Sequence, residues 1–287
     1  MPGRRLSLDA PLIMGVVNIT PDSFSDGGHF LSPAAAIGHA HRLVEEGADL
    51  VDLGAESSRP GAAPLPLADE LARLLPVLEG CAGLRVPISV DTSKSEVMRA
   101  AVAAGAAMIN DIRAFRLPGA LEAAVEAAGR GVALVIMHMR RDPQTMQDQP
   151  EYVDVVAEVK MFLLERAAAL RAAGVAPAQL VIDPGFGFGK SVAHNLALLR
   201  DLRVYADTGY AVMAGLSRKA TIGAITGHAQ PDQRLHGSVA AALIAAQNGA
   251  TILRVHDVAA TRDALKVWQA VGKAGRDSKI QEPRRSP

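Results

Sequence analysis

Eight polar residues stand at or beside the C-terminal end of short apolar runs in this 287-residue chain: Asn18, Asp52, Asp91, Asn110, Asp183, Lys219, Arg254 and His256. Two carboxylates and an amide, Asp91, Asp183 and Asn110, carry the acceptors and donors that grip the edge of a cyclic amidine or guanidine, as in a pterin or purine ring. Arg254 and His256 are two apart, so in a strand both side chains leave on one side. Arg59 follows Glu56-Ser57-Ser58 and precedes Pro60-Gly61. Together, Arg59, Arg254 and His256 suit a phosphate or pyrophosphate, whose oxygens a guanidinium binds in pairs. Plainer readings stay open: Arg254 paired with Asp52 or Asp257, and each acid in a salt bridge or loop cap. Lys219 suits a Schiff-base lyase, yet Arg218 and residues 215–217 beside it suit an anion or a ring equally well.

Other chemistries fail on spacing. Residues 184–191 resemble a phosphate loop, but Pro184 stands where the first Gly is needed, and Lys190 breaks the dinucleotide pattern. The glycines there let backbone approach a flat ligand, with Phe186 and Phe188 as stacking or packing faces. No zinc-protease or nucleophile-elbow motif exists, and His39 and His41 do not share a helix face. The first polar loop, 20–28, holds Asp22, Phe24 and a Gly pair. It reads as a lid over a site or as an ordinary turn.

The elements that must position these residues follow from the same pattern. Apolar runs begin at 12, 50, 86, 108, 132, 180, 211 and 252. Runs without alternation suit strands buried on both faces of a parallel sheet. Between them lie Ala-rich stretches, 33–46, 67–79, 94–104, 121–128, 152–173, 192–202, 234–247 and 260–271, which favour helix. Gly47, Gly80, Gly105, Gly129, Gly174 and Gly249 are expected to end helices in the left-handed cap. Eight strands and eight helices predict a single-domain α/β (β/α)8 TIM barrel over 1–272, with 273–287 as a disordered tail. A doubly wound open sheet is the alternative. Strand ends of a barrel share one mouth, so the eight polar residues are expected to converge there.

Composition narrows the class. Hydrophobic residues make up 49% and charged residues 21%, which excludes a disordered or collagen-like chain. Thirty Lys+Arg balance thirty Asp+Glu, so nothing suggests a nucleic-acid partner. The lone Cys81 can form neither an internal disulfide nor a zinc knuckle and suits a reducing compartment. No export signal is evident, and 235–253 is too polar for a membrane span. A cytoplasmic protein acting on small molecules, without a membrane, is expected.

Taken together, the motifs resemble the dihydropteroate synthase family of pterin-binding barrels. The resemblance is carried by Asn18-Ile19-Thr20-Pro21-Asp22-Ser23-Phe24-Ser25-Asp26-Gly27-Gly28, Glu56-Ser57-Ser58-Arg59-Pro60-Gly61, Ser89-Val90-Asp91-Thr92 and Ile109-Asn110-Asp111-Ile112. It continues in Met137-His138-Met139, 183–190, Ser217-Arg218-Lys219 and Arg254-Val255-His256-Asp257. The motifs keep the family's order over residues 12–270. The resemblance implies an enzyme that joins 6-hydroxymethyl-7,8-dihydropterin pyrophosphate to p-aminobenzoate, with Mg2+, and that sulfonamides inhibit.

It also implies roles. Asp91, Asn110, Asp183 and Lys219 would hold the pterin, with Ile112, Met137, Phe188 and Gly215 against it. Asn18, Arg254 and His256 would take the pyrophosphate, Asn18 through the metal, with Ser58 and Arg59 closing on it. Ser217, Lys219, Pro60 and Phe186 would border the p-aminobenzoate pocket under a lid carrying Asp22 and Phe24. Asp91, Lys219, Arg254 and His256 are the catalytic set. An arylamine is a weak nucleophile, so early loss of pyrophosphate with a cationic transition state fits this charge pattern.

Departures are Ala55 for a usual Gly, Ser58 for a frequent Thr, and Arg140-Arg141-Asp142 where a Gly is common. Residues 238–246 are apolar right round a helix, so a second subunit is expected to cover them, giving a homodimer. A pterin-binding methyltransferase of the same superfamily and a non-catalytic pterin-binding paralogue are the alternatives.

Overall fold

Strands and helices alternate along the chain. The strands are β1 (Leu12–Asn18), β2 (Leu50–Gly54), β3 (Ile88–Asp91), β4 (Met108–Asp111), β5 (Ala133–Met137), β6 (Leu180–Asp183), β7 (Ala211–Ala214) and β8 (Ile252–Val255). The helices are α1 (Pro33–Glu45), α2 (Leu67–Gly80), α3 (Ser95–Ala103), α4 (Ala120–Gly129), α5 (Val155–Ala172), α6 (Val192–Arg200), α7 (Arg203–Ala206), α8 (Ala220–Thr226), α9 (Leu235–Gln247) and α10 (Val258–Asp277). This computed structural model describes residues 6–19, 32–57, 61–140 and 151–277. All eight strands pair in parallel, and β8 returns to β1 to close a barrel. Closure excludes the open sheet.

Alternation along each strand then sorts the side chains. Ile13, Val51, Val90, Ile109, Leu134, Ile182, Val212 and Leu253 join the main core together with buried faces of the helix ring. The other set faces the barrel axis. Its lower layer is apolar: Met14, Leu50, Met108, Val135, Val181, Met213 and Ile252 form one buried cluster. One pleat further on, the inward positions become Asp52, Asn110, Met137, Asp183 and Arg254. The same two-residue step that fills the barrel floor therefore delivers the polar groups to its carboxyl-end mouth.

Helix starts follow local chemistry. Ser32 caps α1 by accepting from Ala35 N, with Pro33 in the first turn. Asp154 accepts from Val156 N and Ala157 N, which starts α5 later than its apolar pattern suggests. Two expected glycine caps are corrected: Gly80 and Gly129 are the last residues of α2 and α4. At Gly80 the reason is proximity, because a Cβ there would run into Ile37 of α1. The left-handed cap after α4 falls on Gly131 instead. Two short helices, α7 and α8, interrupt stretches in which none was expected. The final helix passes the boundary expected at 272 and runs to Asp277.

Candidate functional site

The mouth is organised by one guanidinium and three strands. Arg254 from β8 donates through Nε to Asp52 Oδ2 of β2 at 2.7 Å and through Nη2 to Asp91 Oδ2 of β3 at 3.1 Å. Asn110 Nδ2 of β4 donates to the same Asp52 oxygen at 3.3 Å. Burial and the neighbouring Asp52 push the Asp91 carboxyl up to about 7. Burial opposes the charge on Arg254, and Asp52 and Asp91 override it. Asp52 Oδ1, Ser89 Oγ and Asn110 Oδ1 are buried without a hydrogen-bond partner. Buried polar atoms left so are costly unless a ligand meets them.

Across the mouth stand Asp183 and Lys219. Asp183 Oδ1 accepts from Gly185 N at 2.7 Å, and burial raises its pKa against the opposing pull of Lys219. Burial pushes Lys219 down to about 8, with Asp183 acting the other way. Its Nζ donates to Phe186 O at 2.5 Å and lies 4.6 Å from the centre of the Phe188 ring. Phe188 and Ile112 pack on Met137 and Met139 to make a small apolar wall. Gly215 lies between the cations: a Cβ there would sit 3.7 Å from Arg254 Cβ and 3.9 Å from Lys219 Nζ.

His256 continues β8 and is half-buried. Its backbone N–H donates to Ser217 Oγ at 3.2 Å, and its Nδ1 lies 3.1 Å from the same oxygen. The serine proton can then serve Nδ1, which leaves the ring proton on Nε2. Burial, then Arg254 and Arg218, push His256 down to about 3. The ring is therefore neutral near pH 7.

The structure thus gathers Asp91, Asn110, Ile112, Met137, Asp183, Phe188, Gly215, Lys219, Arg254 and His256 at one end of the barrel. Asn18 ends β1 on the same rim, in register with Gly54. One expectation changes. Phe186 is 1% exposed and belongs to the core, so its carbonyl rather than its ring meets the site. Ser217, beside Lys219, is tied to His256 through its hydroxyl. Asp22, Phe24, Ser58, Arg59 and Pro60 lie outside the described residues.

Several supporting residues escaped the sequence reading. Arg218 forms a two-pronged pair with Asp257 at 3.0 and 2.6 Å, holding the β7 loop to the β8 loop. Arg218 itself is left-handed at φ 59°, and its N–H donates to Ser238 Oγ of α9. Under the loop after β2, Lys94 Nζ bridges Glu56 and Glu70, each at 2.5 Å. Thr92 donates to Glu70 at 2.6 Å, while Glu56 accepts from Leu65 N at 3.0 Å. Glu70 is wholly buried in the first turn of α2, where Lys94 and Thr92 satisfy its carboxylate.

Comparison with known proteins adds identity to this geometry. The family model described as pterin binding enzyme matches residues 14–256. The dihydropteroate synthase of Neisseria meningitidis serogroup B is 50% identical over 272 residues, covering 93% of this chain and 95% of that one. The dihydropteroate synthase of Xanthomonas albilineans, solved with 4-aminobenzoic acid, superposes with a TM-score of 0.87 at 57% identity, covering 93% and 95%. That of Burkholderia cenocepacia, complexed with 7,8-dihydropteroate, gives 0.87 at 50% identity, covering 96% and 97%.

Proposed function

The chain belongs to the pterin-binding enzymes, among the dihydropteroate synthases, and from that membership we propose the reaction and the part each residue plays. The enzyme joins 6-hydroxymethyl-7,8-dihydropterin pyrophosphate to p-aminobenzoate, releasing 7,8-dihydropteroate and pyrophosphate. One observation supports the site reading above the rest. Asp91, Asn110 and Asp183 face the same mouth as Arg254 and His256, so one ligand can meet ring-reading acceptors and diphosphate-binding donors together.

In this reading Asp183 and Asn110 hold the pterin edge, and Met137, Ile112 and Phe188 cover its faces. The bond from the methylene carbon to the diphosphate oxygen breaks first, with its electron pair leaving on oxygen. Arg254 and the Nε2–H of His256 meet that growing negative charge. The positive charge left on the pterin methylene is offset by Asp91, whose companion Asp52 leaves two carboxylates against one guanidinium. The amine nitrogen of p-aminobenzoate then bonds to the carbon and loses its proton. No enzyme nucleophile takes part, and Lys219 acts through hydrogen bonding and charge.

Mg2+ belongs to this proposal with the diphosphate. Among the described residues no group of three His, Cys, Asp or Glu side chains could hold a metal. The amide oxygen of Asn18 is a hard donor of the kind Mg2+ accepts singly, keeping water and phosphate oxygens as its other ligands. Asn18 would hold the ion, which when bound would supply charge neutralisation at the diphosphate.

Sulfonamides, which present an arylamine of the same shape, are expected to compete with p-aminobenzoate. A homodimer is part of the proposal. Ile244 on α9 and Val267 and Val271 on α10 are 42%, 67% and 68% exposed, and the two helices pack side by side. Mass measurement at micromolar concentration giving only monomer rejects it. Among the described residues no helix is long and apolar enough to cross a membrane, and buried Cys81 suits the cytoplasm. Pyrophosphate release that depends on p-aminobenzoate tests the whole assignment. No release with both substrates present rejects it in favour of a methyltransferase or a silent pterin binder.

A further inference from the structure

Behind the pterin-facing residues lies a lysine that the reaction does not use. Lys190 is 3% exposed. Its Nζ lies 2.9 Å from Gly185 O, 3.0 Å from Phe188 O, 3.3 Å from His138 O and 3.0 Å from His138 Nδ1. Four acceptors drawn from the loops after β5 and β6 converge on one nitrogen. An ammonium has three protons to offer them, whereas a neutral amine has two. Burial, then Lys190, push His138 down to about 2, which keeps the imidazole a neutral acceptor.

The loop needs such a tie because its backbone claims little for itself. Gly185, Gly187 and Gly189 all have left-handed φ, 71°, 81° and 63°. The Gly185 and Phe188 carbonyls go to Lys190, the Phe186 carbonyl to Lys219 and the Gly189 carbonyl to Tyr152 Oη at 3.0 Å. Asn195 Oδ1 accepts from Gly187 N at 2.8 Å. Two lysines therefore grip one loop, Lys219 from the mouth and Lys190 from behind.

We propose that Lys190 is a positioning residue for pterin binding: an internal hydrogen-bond donor that fastens the loop after β6 to the end of β5 and so seats Asp183, Phe188 and the partner carbonyl of Lys219. The inference rests on the pterin reading of the mouth. Its chemistry differs from that of Lys219, because Lys190 meets only protein atoms.

The test compares full-length wild type with Lys190→Met, which keeps the chain length and loses every donor, and Lys190→Gln, which keeps an amide donor. Calorimetry with 6-hydroxymethylpterin reads the affinity, and hydrogen exchange reads residues 184–190 against α1 to α4. Lys190→Met should weaken the pterin by about ten-fold, the scale of one lost buried hydrogen bond. Lys190→Gln should fall between, and exchange should rise in 184–190 alone. Binding within about two-fold of wild type in both variants overturns the proposal. So does faster exchange spread evenly through the barrel, or failure of both variants to fold, since either makes Lys190 a residue of general stability. If wild type itself does not bind the pterin, the site assignment fails instead, and the exchange data still report the loop tie.

Discussion

Arg254 reaches across the barrel mouth to Asp52, donating from Nε at 2.7 Å to a carboxylate with no solvent exposure. The contact joins β8 to β2, and with Asp91 it makes a three-membered charge cluster in which acids outnumber the base. Removing the guanidinium therefore does two things at once. It takes away the donor proposed for the diphosphate, and it strands two neighbouring carboxylates.

Arg254→Ala should lower turnover by about 100-fold or more, the scale for loss of a charge-stabilising donor. It should also destabilise the apo protein by about 3 kcal/mol, the cost of breaking a buried pair. Steady-state kinetics and urea unfolding check the two halves separately. Normal stability in the variant means the cluster is relaxed in solution.

Asp91 is held up at about 7 by burial and then by Asp52. Below that pH the free protein carries a proton on Asp91, so affinity for a pterin that needs the carboxylate should decline as pH falls through 7. Asp52→Asn removes a like charge while Arg254 remains, and the acid limb should move to lower pH. Affinity measured by calorimetry between about pH 5.5 and 8.5 reads the shift. An unmoved limb separates Asp91 from pterin binding.

His138 has the opposite sign. Unfolded it titrates near 6.5, folded only near 2. Between those values the unfolded chain binds a proton that the folded chain refuses, so this group costs stability as pH drops below 6.5. The raised carboxyls Asp91, Asp183 and Asp111 act the other way, which is why the comparison must be with a variant. His138→Asn keeps an acceptor for Lys190 without a titration. Its melting temperature should fall less steeply than that of wild type below pH 6.5.

Lys94→Met leaves Glu70 buried with only the Thr92 hydroxyl and no cation, and releases Glu56 from the base of the loop after β2. A loss of about 2–3 kcal/mol is expected in urea unfolding, with faster hydrogen exchange over 61–65. Glu70→Gln together with Lys94→Met should recover part of it, because the stranded charge is gone.

Gly185→Ala should damage the mouth more than its size suggests. The residue has φ 71°, and a Cβ would strike the carbonyl of His138. Misplacement of the loop should raise the KM for the pterin substrate, and destabilisation should exceed about 1 kcal/mol, the size of the gain that the same change brings where the backbone allows it.

The barrel and most of its mouth were legible because both depend on a period of two. Apolar runs ending in Asp91, Asp183 and Arg254 reveal a strand and a site in one pattern. What stayed hidden depends on tertiary partners. Ser89 lies inside an apolar run, where a small hydroxyl gives no signal of facing the axis. Glu70 reads as the wet side of α2 until Lys94 is placed beside it. Lys190 reads as the end of a failed phosphate loop, because only folding brings the His138 carbonyl to it. Phe186 and Phe188 share a motif yet part ways, one into the core and one to the apolar wall, since residues two apart need not share a side in a loop turned by the left-handed Gly187 between them. Gly80 misled because glycine serves close helix contact as well as helix ends.

The apolar floor of Met14, Leu50, Met108, Val135, Val181, Met213 and Ile252 has a consequence for traffic. With the lower end of the axis stoppered by side chains, whatever enters the mouth must leave through the same doorway. Both substrates and both products then queue at one threshold, and the first molecule in becomes the deepest lodged.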